Sequence, residues 1–335
     1  MLLAKKICLH CRPAALAVLF AGLITPLSGT AETDRDAALE AFIQEQISDY
    51  QFDEQQLRDW LAQADKNEQV LEAIQRPWEA KPWYQYYPIF LTDKRLQAGL
   101  EFWQQHQPIL ERAEQTYGIP ASVIVAIIGI ETFYGSYLGN YPVLDSLYTL
   151  AFHYPPRSSF FRSELSEYLR LARAENWQVK AQKGSYAGAM GLGQFISSSY
   201  RHYAVDFDND GQRNIISNPA DAIGSVANYF AEHRWQDDAP IATKPDQQQG
   251  WHKVADKGMK PDTTVGELRQ QGFSIDSQYS DNQAVKVLEF ETLEGNEYWL
   301  GFDNFYAITR YNHSPLYAMV AYQFSQQLKQ HRQAP

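Results

Sequence analysis

The run Val123-Ile124-Val125-Ala126-Ile127-Ile128-Gly129-Ile130, followed at once by Glu131-Thr132-Phe133-Tyr134, restricts this chain more than any other stretch. It is entered through Ile119-Pro120-Ala121-Ser122 and closed by Gly135. Proline near a first turn and glycine just past an end are the start and stop chemistry of a helix. Apolar side chains cover nearly its whole circumference, so such a helix must lie inside a larger core rather than on a surface. It carries one carboxylate, Glu131, and there is no Lys or Arg between Arg112 and Arg157 to neutralise it locally. Burial without a counter-ion disfavours the charged form, so Glu131 is expected to hold its proton longer than in water. A general acid needs that property near neutral pH. The helix alone leaves a second reading open, in which Glu131 is solvated or paired with a cation from elsewhere in the fold.

The N-terminus reads as an export signal. Lys5, Lys6 and Arg12 precede the apolar run Pro13 to Ile24, and small residues around Ser28-Gly29-Thr30-Ala31 follow it. That run is too short to span a bilayer as a helix, and its flanks suit cleavage after Ala31. Both cysteines, Cys8 and Cys11, leave with the signal, so no disulfide or thiol chemistry is expected afterwards. Neither lies beyond the apolar run, where a lipid-attachment cysteine would sit, so a soluble periplasmic or secreted form is expected. Residues 32–335 hold 26 basic against 40 acidic side chains. This balance excludes a nucleic-acid footprint, and no basic amphipathic stretch suits a membrane surface. About three hundred residues exceed one ordinary core, so two or three packed subdomains are expected.

From Asp34 to Gln75 apolar residues recur at helical spacing, first Ala38, Leu39, Phe42, Ile43 and Ile47, then Leu57, Trp60 and Leu61 from Asp53 onward. A third helix is expected from Thr92 as its cap to Gly118, carrying Leu96, Leu100, Phe102, Trp103 and Leu110. Between them, Arg76-Pro77-Trp78 and Lys81 to Pro88 form an extended aromatic connection. Its rings could face a sugar, although packing against the scaffold explains them as well. Beyond Gly135, helices are expected over 143–152 and 158–174. The segment Lys183 to Phe195 then places four glycines within ten residues, at Gly184, Gly188, Gly191 and Gly193. It matches neither phosphate-cradling nor dinucleotide spacing, and a groove admitting a bulky ligand uses glycine equally well.

Four blocks, Ile130-Glu131-Thr132-x-x-Gly135, Gly184 to Phe195, Asp221 to Tyr229 and Thr309-Arg310-Tyr311-Asn312-His313-Ser314, resemble in order the signature blocks of the lytic murein transglycosylase B family. The resemblance runs from about Pro82 to the C-terminus. It implies an α+β, mostly helical fold: a goose-lysozyme-like core, a helical subdomain and a small β-containing subdomain. It also implies cleavage of peptidoglycan between N-acetylmuramic acid and N-acetylglucosamine, with Glu131 as sole acid/base and a 1,6-anhydromuramyl end as product. Substrate contacts implied by the same blocks are Ser185, Met190, Gln194, Phe195, Tyr229, Tyr311, Asn312 and Tyr317, with Tyr86 and Arg157 further along the groove. Each could instead belong to a hydrogen-bonded core network.

Asp206, Asp208 and Asp210, with Gly211 sixth and the Gln212 carbonyl seventh, match the opening of an EF-hand calcium loop. Ser217 occupies the twelfth position in place of the usual glutamate, and the resemblance makes Asp221 the candidate closing ligand. A structural calcium ion is therefore expected, with no cofactor for the chemistry. The segment 237–283 is polar and reads as an insertion with one short helix capped by Thr264 and Glu267. A hairpin over 284–302 turning at Glu294-Gly295-Asn296 follows, then a helix from Ser314-Pro315 to about Leu328 that should pack back on the N-terminal scaffold. The resulting division is 1–31 signal, 32–118 scaffold, 119–235 catalytic core and 236–335 insertion, hairpin and returning helix. Peptidoglycan strands are the expected partner of a monomer, alongside other enzymes of wall synthesis or hydrolysis. The competing readings are a secreted glycan-binding module, which has no use for an unpaired acid, and a hydrolytic muramidase, which needs a second carboxylate.

Overall fold

The computed structural model describes residues 28–75 and 81–333. Most of the expected signal, and Arg76, Pro77 and Trp78 of the connection, lie outside the described residues. Helix α1 (Ser28–Tyr50) runs through the expected cleavage point at Ala31, and α2 (Glu54–Leu61) and α3 (Glu68–Ile74) follow. Asp53 and Asn67 cap the latter two by accepting backbone N–H bonds. After α4 (Trp83–Tyr86), the single helix expected over 92–118 is two, α5 (Asp93–Gln105) and α6 (Gln107–Tyr117). Pro108 stands in the first turn of α6 and has no N–H to continue α5, so the chain leaves the helical path at His106, with φ −111° and ψ 18°. Gly118, at φ 70°, ends α6.

Next comes α7 (Ala121–Thr132), in which every residue except Glu131 is buried. It stops two residues earlier than its composition suggests. Phe133, Tyr134 and Gly135 all take positive φ, at 49°, 57° and 89°, and turn the chain sharply out of the core. Strand β1 (Tyr141–Pro142), α8 (Val143–His153), α9 (Ser158–Ala174) and β2 (Lys183–Gly184) follow, then α10 (Ser197–Tyr203) and α11 (Pro219–Glu232). Pairing of Tyr141 with Gly184 brings the 135–142 loop onto the glycine-rich segment. There a Cβ on Gly139 would lie 2.0 Å from the Gly184 carbonyl oxygen, so that crossing requires glycine.

One apolar core runs from Phe42 to Leu328 and joins the helices on both sides of residue 118. The boundary drawn there between scaffold and catalytic core therefore falls within continuous packing. The polar segment 237–283 is no mere insertion: it supplies β3 (Ala242–Thr243), β4 (Thr263–Thr264) and α12 (Val265–Gln270). With β5 (Ala284–Thr292) and β6 (Gly295–Gly301) these strands form a sheet in the order β3-β6-β5-β4. A second, smaller core of Trp251, Val265, Leu268, Val285, Val287, Tyr298, Leu300 and Phe302 lies beneath it. The polarity of the segment hid this, because its few apolar residues find their partners on β5 and β6. Helices α13 (Asp303–Tyr311) and α14 (Pro315–Gln333) close the chain, and α14 packs along both α7 and α5.

Candidate active site

The acidic residue of α7 emerges where that helix reaches the surface. Glu131 is partly exposed, whereas Ile130 and Thr132 on either side are buried. Its Oε1 accepts a 2.6 Å hydrogen bond from the Tyr317 hydroxyl on α14, and it makes no ion pair among the described residues. Burial pushes the carboxyl up to about 7, opposed by the hydrogen bond from Tyr317. The cation missing from the neighbouring sequence does arrive through the fold, but elsewhere. Arg95 donates from Nε to the Gly129 carbonyl at 3.1 Å, and its other contacts are the Ile89 and Phe90 carbonyls and the Phe90 and Phe133 rings. It fastens the end of α7 without pairing with the acid. Arg95 carries no local sequence signal for this role, because its partner lies 34 residues away.

Around Glu131 the tyrosines interlock. Tyr311 and Tyr317 lie parallel with centroids 6.5 Å apart. The Tyr311 hydroxyl donates to the Gly193 carbonyl at 2.5 Å, and Tyr229 donates to the Arg310 carbonyl at 2.5 Å. Phe195 lies 5.8 Å from the rings of both Tyr229 and Tyr311. Burial and the nearby Glu131 charge hold the Tyr311 and Tyr317 hydroxyls far above their ordinary range, so both remain protonated donors. On α7, Thr132 Oγ1 donates to the Leu192 carbonyl at 2.9 Å and accepts from Gly135 N at 3.1 Å, tying the glycine-rich segment to the end of the helix.

A match to the family described as "Transglycosylase SLT domain" covers residues 34–326. The chain belongs to this family. It is 40% identical over 295 residues, 85% of this chain and 81% of the relative, to the membrane-bound lytic murein transglycosylase B of Escherichia coli. Its fold matches the soluble lytic transglycosylase SltB1 of Pseudomonas aeruginosa with a TM-score of 0.82 and 46% identity, over 88% of this chain and 99% of that one. It likewise matches the Escherichia coli lytic transglycosylase Slt35 in complex with calcium, with a TM-score of 0.81 and 39% identity over 88% and 93% of the two chains. The mostly helical, lysozyme-like architecture is thus that of solved lytic transglycosylases.

The family blocks converge unevenly. Tyr317, Tyr311, Tyr229 and Phe195 form one cluster with Glu131. Met190 is fully buried and Phe195 is 3% exposed, so both lie behind the tyrosine cluster rather than at the surface. Ser185 has its oxygen turned inward, accepting from Ala187 N and Ala189 N, which leaves only its proton to offer. Gln194 has φ 49° and spends its amide N–H groups on the Leu138 and Gly191 carbonyls, at 3.2 and 3.0 Å. Asn312 is partly exposed just beyond α13, and its amide makes no hydrogen bond among the described residues. Tyr86 is buried against Phe90 and close enough to Tyr317 to affect its ionisation. Arg157 is exposed on the turn before α9, over the Phe160 ring, and makes no described contact with the Glu131 cluster.

In the acidic loop, Asp206, Asp208 and Asp210 bring their ligand oxygens within 4.8 Å of one another. None of the three pairs with Lys or Arg among the described residues, and an all-oxygen set suits a hard cation. Asp221 does not join them. Its two oxygens accept from Phe207 N and Asn214 N, each at 2.7 Å, so it clamps the loop from beneath instead. Phe207 anchors the loop further: its carbonyl accepts from Arg112, whose guanidinium lies 4.1 Å from the Phe207 ring centroid.

Proposed function

We propose that Glu131 is the only acid/base of this enzyme and that it cuts the glycan strand between N-acetylmuramic acid and N-acetylglucosamine, leaving a 1,6-anhydro end. As a member of the family the chain is a lytic murein transglycosylase, a peptidoglycan-cleaving enzyme. The observation that carries the finer reading is a carboxyl whose affinity for protons is set by burial and one tyrosine, with no second acid among the described residues acting on it. Asp145, one of its nearest acids in sequence, is buried elsewhere, accepting from Asp65 N and pairing with Lys180.

Ordinary glycosidases need two carboxylates; here the substrate supplies the nucleophile. Protonated Glu131 gives its proton to the glycosidic oxygen as the C1–O bond breaks, while the 2-acetamido oxygen stabilises the cationic sugar. The carboxylate then takes the proton from the C6 hydroxyl as that oxygen bonds to C1. Tyr317 stabilises the carboxylate between these two transfers. An intramolecular nucleophile avoids the entropic cost of bringing in a second molecule. Asn312, with an unspent amide, is suited to hold the acetamido group. Tyr229 and Tyr311 shape the groove, Met190 and Phe195 support it, Ser185 and Gln194 hold its glycine-rich edge, and Tyr86 and Arg157 extend it along the strand.

Asp206, Asp208, Asp210 and the Gln212 carbonyl would hold a calcium ion that fixes the loop before α11 and takes no part in the reaction. No single described helix is long and apolar enough to cross a membrane. Export through the segment 1–31 would place the enzyme where peptidoglycan lies. Mass spectrometry of digested peptidoglycan tests the reaction: anhydro ends are expected, and Glu131→Gln should release none. Reducing ends would instead indicate a hydrolytic muramidase, and turnover by the variant would remove Glu131 from its role.

A further inference from the structure

The turn that ends α7 passes through two side-chain-bearing residues in the left-handed region, Phe133 at φ 49° and ψ 51° and Tyr134 at φ 57°. Side chains disfavour that conformation, and two in succession beside a reacting group indicate that the surroundings enforce it. Stopping the helix there has a definite effect. Tyr134 stands three residues and Gly135 four beyond Glu131, the positions that share one face of a helix. Had α7 continued for another turn, the Tyr134 ring would have leaned back over the acid and covered it. Instead the hydroxyl end of that ring lies between Gly129 of α7 and Gly99 of α5, and the ring stacks on Phe102 at 5.1 Å. Gly129 is two residues before Glu131 and so on the other side of α7. The strained turn uncovers Glu131.

Arg95 of α5 acts on the bond that ends the helix. The Gly129 carbonyl accepts from Phe133 N and from Arg95 Nε, each at 3.1 Å. Nη1 of the same guanidinium donates to the Ile89 and Phe90 carbonyls at 2.9 and 2.6 Å. Its Cζ lies 5.3 Å from the Phe90 ring centroid and 5.2 Å from that of Phe133. Arg95 therefore meets the strained residue twice, at its ring and at the carbonyl that receives its N–H. Half-buried and without an ion pair among the described residues, the guanidinium is held by carbonyls and rings. Its rigid fork of donors spans the turn after α4 and the end of α7 at once, which the single ammonium of a lysine does not.

We propose that Arg95 is a positioning residue for the reaction, clamping the strained turn in the form that leaves Glu131 uncovered and against Tyr317. The proposal rests on the reading of Glu131 as the acid/base. Arg95 acts through backbone geometry and not through its charge, since the proton affinity of Glu131 is set by burial and Tyr317. Tyr311 and Tyr317, the phenols that feel the Glu131 charge, stay protonated far above their ordinary range. The alkaline limb of a pH profile therefore reports the carboxyl.

Turnover of soluble peptidoglycan strands as a function of pH, by the unmodified enzyme, Arg95→Met, Phe133→Gly and the double variant, tests this. Arg95→Met should lower kcat on the order of tenfold, the worth of a hydrogen bond from a charged group, with KM changed by less than about twofold. Its alkaline limb should move up, because a carboxyl parted from Tyr317 keeps its proton to higher pH. Glycine takes positive φ freely, so a turn carrying Phe133→Gly no longer needs the clamp. The loss in the double variant should then be well below the product of the two single losses. An unchanged kcat, an unmoved limb or multiplicative losses would each leave Arg95 a support of stability only and overturn the proposal. Arg95→Lys keeps the charge without the fork and should shift kcat and the limb in the same direction, so it decides by those two readings if Arg95→Met does not fold. Failure of the unmodified enzyme to release anhydro ends would count against the role of Glu131, whereas ratios to the unmodified enzyme judge Arg95 alone.

Discussion

Replacing Glu131 by Gln should stabilise this protein, and only above the pH at which a carboxyl ordinarily ionises. Glu131 has its pKa raised from 4.5 to about 7 by burial. Between those values the unfolded chain has released the proton while the folded chain still holds it. The folded state therefore loses stability as pH rises through 4.5, and the loss is complete above about 7. A shift of that size corresponds to about 3 kcal/mol. Glutamine resembles the protonated acid at every pH, so the two proteins should unfold alike at pH 4, and the variant should be the more stable by up to about 3 kcal/mol at pH 8. Denaturant unfolding of both proteins at the two pH values gives the difference directly, with all other titrating groups cancelling. Parallel curves, with no gap opening between pH 4 and pH 8, would show that Glu131 ionises normally, and the argument for a single neutral-pH acid would fail.

Tyr317→Phe removes the bond that lowers the Glu131 pKa. The alkaline fall in kcat/KM should move up by about 1–2 pH units, the worth of a hydrogen bond to a charged group, and an unmoved limb would sever Tyr317 from the chemistry. Gly129→Ala would put a Cβ 2.3 Å from the Tyr134 hydroxyl inside the core. A loss of about 1–3 kcal/mol is expected, and an unchanged denaturation midpoint would contradict that close packing. Calcium at a hundredfold excess over its Kd should add about 3 kcal/mol, and Asp208→Asn should reduce the gain. Melting that ignores both calcium and chelator would argue against the ion.

Periodicity made α1 and α5 legible, because Phe42, Ile43 and Ile47 in the first and Leu96, Leu100 and Trp103 in the second recur at helical spacing. Caps at Thr92 and Thr264 were equally local, since a side-chain oxygen three residues from an N–H needs no tertiary help. The sheet beneath 237–283 was not legible. Its strands β3 and β4 are two residues each and gain a core only from β6 and β5, far along the chain. The break at His106 turned on one proline inside an otherwise persuasive helical pattern. Gln194 and Ser185 stood out by their block, but the backbone groups they hold are set by turns that composition does not specify.

By itself the amino-acid order determined that α7 would be buried and that Glu131 would have no neighbouring cation, because both follow from residue types within one segment. Tertiary structure alone decided that Arg95 would fasten the end of that helix without reaching the acid, and that Tyr317, 186 residues away, would do so. The pKa of a carboxyl depends on the few groups within contact distance. Which groups those are is settled only when α14 packs along α7.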